Sequence, residues 1–231
     1  MKFDTKISKT AGGEHQIYGN AVVELMKSHG FTDVIFLLYT GKLPTDDERS
    51  LLDALLVAAA EHGVEVPSLY VPRVSVASGN SVHTAMAAGV LAIGEDHGGA
   101  GEAAAYLLSR KEDAQTLVDE YIANDERLPG FGHRTYKEED PRATVIYEKA
   151  KQAKVPLAAF EKACEIEAAI AKAKGKKLPL NIDGAFAAAV LALGMDPRAA
   201  KALFVVARVA GMGAHALEEL SQKNGYRRLG D

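Results

Sequence analysis

Apolar residues recur at helical spacing through most of this chain, and that pattern limits the folds available to it. In the segment 51–59 the leucines and alanines follow the repeat of a helix with one buried face. Strong helix formers also dominate three later segments, 145–155, 157–174 and 186–194. The one short β-branched stretch, 69–76, is interrupted by Pro72. We therefore predict an almost all-α protein.

Local signals predict where several helices begin and end. The tetrapeptide TDDE at 45–48 fits a capping box, in which a threonine hydroxyl and a glutamate three residues later satisfy each other's backbone N–H groups. The DP pairs at 140–141 and 196–197 each place a capping acid before a proline suited to the first helical position. Gly63 is predicted to stop the helix that follows 45–48.

The composition is that of an ordinary globular protein. The 231 residues suffice for one large domain or two small ones, and 48% of them are apolar. With 27 basic and 31 acidic side chains the net charge is -4, so we expect no nucleic-acid partner and only local anion sites. The sequence has no secretory signal and no apolar run near the roughly 20 residues that span a bilayer, so we expect a cytoplasmic protein without a membrane partner.

The spacing of cysteine and histidine argues against disulfide or metal chemistry. Cys164 is the only cysteine, which excludes an internal disulfide, and we expect it to be a buried packing residue. The histidines form no HxxxH pair and no CxxC motif is present, so no metal site is predicted. A phosphate loop and a dinucleotide-binding fingerprint are absent as well.

Five irregular, glycine-bearing segments interrupt the helices and hold the polar residues that could do chemistry. They are 61–68, 94–103, 128–134, 178–185 and 224–228. Loops held by a rigid scaffold usually carry the functional groups. His97 lies beside glycines that would let a ligand approach, although it could equally be a solvated loop histidine. His133 follows a glycine-lined bend whose amides could cradle a nucleotide or a carboxylate.

Four further residues each allow two interpretations. Asp183 precedes an apolar helix, and a helix N-cap is its favoured role. Arg208 interrupts an apolar helix, where it either joins a buried ion pair or binds a carboxylate ligand. His62 ends a helix and either caps it or contacts a ligand, whereas His215 is expected to pack in the core or at an interface. Together these groups suit a small polycarboxylate and proton transfer next to a carbonyl.

Several of these segments resemble one known family. GFGHRTYKEEDPRA at 130–143 closely resembles the signature of the citrate synthase superfamily, and similar motifs follow in family order over nearly the whole chain. These motifs are GKLPT at 41–45, EHG at 61–63, HGGAGEA at 97–103, NIDG at 181–184 and ARVAGMGAHALEEL at 207–220. NIDGAF further resembles the citryl-CoA lyase module at the end of ATP-citrate lyase. The sequence is thus most similar to a stand-alone citryl-CoA lyase.

The resemblance implies an architecture. A compact large helical domain, 1–125 and 196–231, is expected to contain the dimer interface. The stretch 126–195 is expected to form a smaller, mobile helical domain that closes over substrate.

The resemblance also implies roles for the candidate residues. His97 would hydrogen-bond the thioester or enolate oxygen, His133 would hold the hydroxyl that becomes the oxaloacetate carbonyl, and Asp183 would move the proton at the acetyl carbon. The citrate carboxylates would be held by His62, Arg142 and Arg208, with Arg227 or Arg228 reaching into the partner subunit's site. Coenzyme A would contact Leu128, Pro129, Gly130, Phe131, Gly132 and Lys137.

The expected reaction is cleavage of citryl-CoA to acetyl-CoA and oxaloacetate by a homodimer or larger homo-oligomer. Coenzyme A enters only as part of substrate and product, and no permanently bound cofactor or metal is expected. Two alternatives stay open: a condensing enzyme that makes citrate or 2-methylcitrate, and a catalytically silent subunit that binds citrate or coenzyme A.

Overall fold

The computed structural model of the chain describes residues 4–98, 100–223 and 225–226. In these ranges a three-stranded antiparallel sheet, ordered β1-β2-β3, precedes eleven helices. The strands are β1 (Ser8–Ala11), β2 (Glu14–Ile17) and β3 (Asn20–Ala21). The helices are α1 (Val22–Ser28), α2 (Phe31–Thr40), α3 (Asp46–Ala60), α4 (Pro67–Ala77), α5 (Val82–Leu91), α6 (Ala100–Ser109), α7 (Ala114–Ala123), α8 (Pro141–Gln152), α9 (Ala158–Lys174), α10 (Ile182–Ala192) and α11 (Ala199–Gln222). The predicted mostly helical fold is confirmed.

The core is built around α10 and α11. Helix α10 is buried along almost its whole length and packs against α6, α8 and α9. Helix α11 lies across α3, α4, α5 and α6. Small residues permit these close contacts: a Cβ at Gly89 of α5 would lie 2.9 Å from the carbonyl oxygen of Ser68 in α4. The alanine- and glycine-rich composition therefore serves helix packing.

Helix α11 is long and apolar enough to cross a bilayer by length and composition alone. The sequence shows no apolar run of this length, because Arg208 interrupts the apolar residues of the helix. Its apolar side chains pack against the four neighbouring helices, and Leu203 and Met212 are fully buried. Val206, Leu217 and Leu220 of the same helix are exposed, so packing within the protein accounts for only part of its apolar character.

Two of the predicted helix starts are confirmed. Thr45 Oγ1 accepts from the Glu48 backbone N–H at 3.2 Å, and a Glu48 carboxylate oxygen accepts from the Thr45 N–H at 2.8 Å. Asp140 caps α8, with Pro141 as its first residue.

Three other expectations from the sequence are wrong. Helix α11 begins at Ala199 rather than at 197, because Asp196 forms a separate turn in which its carboxylate binds Arg198. Helix α3 ends at Ala60, and the backbone is already extended at Glu61. The helix therefore stops three residues before Gly63. Cys164 is exposed on α9 instead of buried.

The N-terminal sheet was not predicted. Strands β1 and β2 pair in antiparallel register around Gly12 and Gly13, which have φ of 61° and 81°. Two glycines between short strands are a hairpin signal, because that turn needs positive φ at both positions. The β-branched stretch 69–76 lies in α4, which contains Pro72.

The stretch 126–195, predicted to form a small domain, holds α8, α9 and α10. Helix α10 packs against α6, and α9 packs against α7, both of which precede residue 126. The boundaries and the mobility of this domain stay predictions.

Candidate active site

One cleft of about 1160 Å³ collects residues from four of the five irregular segments. It opens between the end of α3, the loop before α6, the loop before α8, and the starts of α8 and α10, with α11 along one wall. Seven of the predicted site residues line it: His62, His97, Gly132, His133, Arg142, Asp183 and Arg208. Residues far apart in sequence thus share one cavity, and their individual roles stay predictions.

Asp183 is not the N-cap of α10. The side-chain oxygen of Asn181 accepts from the backbone N–H groups of Asp183 and Gly184, at 3.0 and 3.1 Å. The preferred interpretation of Asp183 as a cap is therefore wrong. Because Asn181 satisfies the helix end, the carboxyl of Asp183 is available to the cleft.

Close backbone contact joins the loop before α8 to the first turn of α10. Gly130 has φ +87°, its carbonyl accepts from the Asn181 N–H at 2.9 Å, and a Cβ at Gly184 would lie 2.5 Å from that carbonyl oxygen. Any side chain at either glycine would push the two segments apart. The glycine at 130 thus makes room for α10, and this contact brings His133 and Asp183 into one cleft.

The hydrogen bonds of His133 fix its tautomer. Its Nδ1 accepts from the backbone N–H groups of Thr135 and Tyr136, at 3.0 and 3.1 Å. A backbone N–H can only donate, so Nδ1 carries no proton and Nε2 carries one. Nε2 lies 3.2 Å from Nη2 of Arg142, whose guanidinium also only donates. Two donors therefore lie side by side, an arrangement suited to binding one oxygen atom in front of both.

Asp140 holds Arg142 in place. Its carboxylate accepts from Nε and Nη2 of Arg142 at 3.0 and 2.7 Å, and from the Ile182 N–H at 3.2 Å. Asp140 is buried, and the guanidinium of Arg142 beside it holds its pKa below the ordinary value against the effect of burial. The carboxylate links the starts of α8 and α10 and presents Arg142 to the cleft.

Ser68 orients His97. The Ser68 N–H donates to His97 Nε2 at 3.3 Å, and the Ser68 hydroxyl lies 2.8 Å from the same nitrogen. Nε2 is therefore the acceptor, and the proton of the neutral ring lies on Nδ1. Within the described residues Nδ1 has no hydrogen-bond partner. Burial, followed by the charges of Arg208 and His62, lowers the pKa of His97, which keeps the ring neutral.

The glycine after His97 serves the protein rather than a ligand. Gly98 has φ +78°, and a Cβ there would lie 2.6 Å from the ring of Phe204. We expected a ligand to approach this backbone. Instead, the glycine allows the backbone to pack closely against α11.

Arg208 is buried at the back of the cleft. Its Nε donates to the Ala59 carbonyl at 2.6 Å, Nη1 donates to Ser68 Oγ at 3.1 Å, and its guanidinium lies over the ring of Phe204 at 4.7 Å. Among the described residues no carboxylate lies within ion-pair distance of it. Burial lowers the pKa of this guanidinium from its ordinary value. A buried cation without an anion favours a carboxylate ligand over a structural ion pair.

His62 and Asp183 have shifted pKa values in the same cleft. Burial, then the charges of Arg142 and Arg208, lowers the pKa of His62, although the residue is open to solvent. His62 follows α3 by two residues, and its ring donates to no helix carbonyl within the described residues. Burial raises the pKa of Asp183, and the charges of Arg142, His62 and Arg208 oppose that rise. Burial outweighs these charges, so the protonated form of Asp183 is easier to reach than that of an ordinary aspartate.

The residues predicted to contact coenzyme A differ in their surroundings. Gly132 lines the cleft, although its N–H donates to the Pro179 carbonyl. Leu128 is buried in the core, and Lys137 donates to the His133 carbonyl at 3.1 Å. The remaining three are Pro129, Gly130 and Phe131, of which Phe131 pairs through its backbone with Leu180. Arg227 and Arg228 lie outside the described residues.

Three supporting residues were missed. Asn181 and Asp140 sit at helix starts, where sequence suggests caps but not which polar atoms remain for a ligand. Ser68 is 29 residues from His97 and 140 from Arg208, so no local pattern identifies it. In the described part of the chain no group of three His, Cys, Asp or Glu residues could hold a metal ion.

Comparison with known proteins connects this geometry to a family. The profile described as "Citrate synthase, C-terminal domain" matches residues 46–229. The chain belongs to the citrate synthase family. Citrate synthase 2 of Bacillus subtilis is 29% identical over 204 residues, covering 85% of this chain and 54% of that protein. Citrate/2-methylcitrate synthase of B. subtilis is 33% identical over 199 residues, with coverages of 82% and 52%. The chain spans about half the length of these curated relatives.

Solved structures of the citrate synthase family show the same fold. The structure of citryl-CoA lyase from Hydrogenobacter thermophilus is 36% identical, with a TM-score of 0.93, and the alignment covers 99% of this chain and 91% of that one. Citrate synthase from Thermoplasma acidophilum, solved with carboxymethyl coenzyme A and oxaloacetate, is 27% identical with a TM-score of 0.72 and coverages of 87% and 56%. The predicted superfamily is confirmed.

Proposed function

We propose that this citrate synthase family member is a citryl-CoA lyase that cleaves citryl-CoA to acetyl-CoA and oxaloacetate. The observation that carries the proposal is the protonation pattern of one cleft. His133 and His97 each present an N–H, and burial raises the pKa of Asp183, which brings a proton-donating carboxyl closer to reach than in an ordinary aspartate. Cleavage needs these three groups in these states.

The cleavage step uses each group once. As the carbon–carbon bond breaks, its electron pair moves toward the thioester oxygen, where Nδ1–H of His97 stabilises the enolate. The oxygen that becomes the oxaloacetate carbonyl would accept from both Nε2–H of His133 and the Arg142 guanidinium, and its proton would pass to water. Asp183 then delivers its proton to the acetyl carbon. His133 acts here as a donor, because its Nδ1 is occupied by two backbone N–H groups.

The carboxylates of the citrate moiety would be held by Arg208, Arg142 and His62. Arg208 is pre-oriented by Ala59 and Ser68 and lacks an anion among the described residues, so a substrate carboxylate supplies the missing charge. Coenzyme A would enter past Gly132 and Lys137 at the mouth of the loop before α8.

Similarity to solved structures supports the lyase over a synthase. The chain aligns with 91% of the citryl-CoA lyase of H. thermophilus but with about half of the curated citrate synthases. The structural similarity is also higher to the citryl-CoA lyase, with a TM-score of 0.93, than to the T. acidophilum citrate synthase, with a TM-score of 0.72.

A homodimer or larger assembly is part of the proposal. Helices α4, α5 and α11 expose large apolar side chains, of which Leu91 is 86% and Leu217 58% exposed. Exposed apolar surface of this kind marks contact sites between subunits. Light scattering on the purified protein tests this, and a monomer at micromolar concentration would contradict it.

A condensing enzyme is the second candidate, favoured by the names of the curated relatives. The deciding experiment supplies citryl-CoA in one assay, and acetyl-CoA with oxaloacetate in another. We expect rapid formation of acetyl-CoA and oxaloacetate in the first. Net citrate release by condensation and hydrolysis, without cleavage, would instead support the synthase. Citrate binding without turnover in either assay would indicate a silent binding subunit.

A further inference from the structure

One face of α11 contacts successive residues at the end of α3. Arg208 donates from Nε to the Ala59 carbonyl at 2.6 Å. Gly211, one turn later, lies so close to the next carbonyl that a Cβ there would overlap the Ala60 oxygen. The end of α3 therefore has a defined position relative to the Arg208 guanidinium in the cleft.

The same face continues to the residue just before His62. His215 lies on α11 seven residues after Arg208, and its Nε2 contacts Oε1 of Glu61 at 3.1 Å. That carboxylate oxygen also accepts from the Gly63 N–H at 2.7 Å. Glu61 thus ties together the residues on both sides of His62 and fastens this turn to α11.

Arg73 orients His215. Nη1 of Arg73 lies 3.2 Å from Nδ1 of His215. A guanidinium only donates, so Nδ1 accepts and Nε2 carries the proton that is donated to Glu61. Arg73 is itself paired with Glu218 and, at 2.9 Å, with the buried Glu219. The direction of each hydrogen bond from Arg73 through His215 to Glu61 is therefore determined.

The side chain of His62 is not fixed by hydrogen bonds of its own to the described residues. Its ring makes no hydrogen bond to the part of the chain that the structure describes, and the residues around it are exposed. Gly63, with φ +81°, follows directly. Without an external tie this turn would sample many conformations, and binding would have to order it.

We propose that Glu61, His215 and Arg73 are positioning residues that hold His62 where it meets a substrate carboxylate. None of these three residues lines the cleft, and they act on it only by holding the turn that carries His62. The identity of the carboxylate rests on the proposed function, whereas the placement of His62 does not.

The first experiment compares Glu61→Ala with Glu61→Gln. Both remove the same charge, but only glutamine retains an oxygen that can accept from Gly63 and His215. We expect E61A to raise the KM for citryl-CoA, or the citrate dissociation constant by calorimetry, about tenfold, the scale of one hydrogen bond to a charged group. We expect kcat to change less than about threefold, and E61Q to stay within about threefold of wild type in KM. Glu112→Ala is the control, because Glu112 is an exposed glutamate paired with Arg110, away from the cleft.

A double-mutant cycle then separates positioning from general stability. If Glu61 acts through His62, E61A should add almost nothing to KM in a His62→Ala background. An undiminished tenfold effect in that background would overturn the proposal. His215→Gln, whose amide can donate from the place of Nε2, should resemble wild type, and His215→Ala should resemble E61A.

A second measurement needs no substrate. The pKa of the His62 ring, measured by NMR, should be higher in E61A than in E61Q, because release from the cleft removes the burial and the nearby arginines that lower it. Equal values in the two variants would overturn the positioning role. If wild type neither turns over citryl-CoA nor binds citrate, the proposed function fails, and this comparison still decides the positioning role.

Discussion

Ser68 contacts His97 through two atoms, with its backbone N–H 3.3 Å and its hydroxyl 2.8 Å from the Nε2 nitrogen. Arg208 donates to the same hydroxyl at 3.1 Å, so the hydroxyl proton is directed at the histidine. This order leaves the other ring nitrogen of His97 as the donor to the cleft. The orientation of the His97 ring therefore depends on Ser68.

Replacing Ser68 with alanine should lower kcat/KM about ten- to a hundredfold, because the ring of His97 loses its alignment. The free energy of unfolding should fall by roughly 1–3 kcal/mol, since buried Arg208 loses an acceptor. Steady-state kinetics and urea unfolding check both effects. Ser78→Ala, at the C-terminal cap of the same helix, is the matched control, because its hydroxyl only reaches the Val74 carbonyl. Equal kinetics for the two variants would contradict the role of Ser68.

Asp183→Asn should reduce citryl-CoA cleavage about 10²–10⁴-fold, because the amide cannot deliver a proton to carbon. Cleavage near the wild-type rate would mean that the assignment is wrong.

The same Asp183→Asn variant should be more stable than wild type at neutral pH. Burial raises the pKa of Asp183 in the folded state, so its ionisation opposes folding once the pH exceeds that of an ordinary carboxyl. Thermal unfolding at several pH values checks this, with each 1 kcal/mol appearing as about 2–4 °C in a chain of this size. The difference between the two proteins should disappear at a pH below the unfolded-state pKa of about 3.9.

Cleavage and condensation should depend on pH in opposite directions at their alkaline limbs. Cleavage needs protonated Asp183, so kcat should fall as the pH rises through its raised pKa, whereas condensation should gain. At the acid limb, cleavage should fall when His97 becomes protonated, at a pH below the ordinary histidine pKa, since that pKa is lowered. Initial rates in both directions test this. Parallel alkaline limbs would contradict the role of Asp183.

Asp140→Asn should raise KM for citryl-CoA and lower the free energy of unfolding by roughly 2–3 kcal/mol, because charged hydrogen bonds to Arg142 are lost in a buried position. Asp196→Asn is a matched control. Asp196 and Arg198 repeat the same three contacts, but their side chains are 50% and 72% exposed. Solvent screening should leave that variant unchanged in kinetics and stability. Similar losses in both would contradict a special role of Asp140.

Gly211→Ala should destabilise the protein by about 1–3 kcal/mol, because the new methyl group would overlap the Ala60 carbonyl. Gly213→Ala, two residues later, should be neutral or stabilising by roughly 0.5–1 kcal/mol, since its Cβ meets only Met86 at 3.6 Å. Chemical denaturation of both variants checks the contrast. Equal stability would mean that α11 does not constrain the end of α3.

Helical spacing and capping pairs were sufficient to predict the helical fold, the capping box at 45–48 and the start of α8 at 140–141. These features depend on neighbours within one or two turns, so the local pattern carries them. The motifs around His97, His133 and Asp183 were enough to identify the superfamily. The hairpin at 8–17 was visible as a GG turn but was overlooked, because its strands are only four residues long.

The state of the site could not be predicted in the same way, because it depends on contacts between distant segments. Asp183 has the same sequence signal as a helix cap, and only the side chain of Asn181, in its folded position, removes it from that role. The proton positions on His97 and His133 follow from partners that fold into place, Ser68 from α4 and the backbone after His133. Local sequence specifies which chemical groups are present, whereas folding specifies which atoms of those groups remain free to react, since each occupied lone pair or N–H belongs to a neighbour brought there by the core.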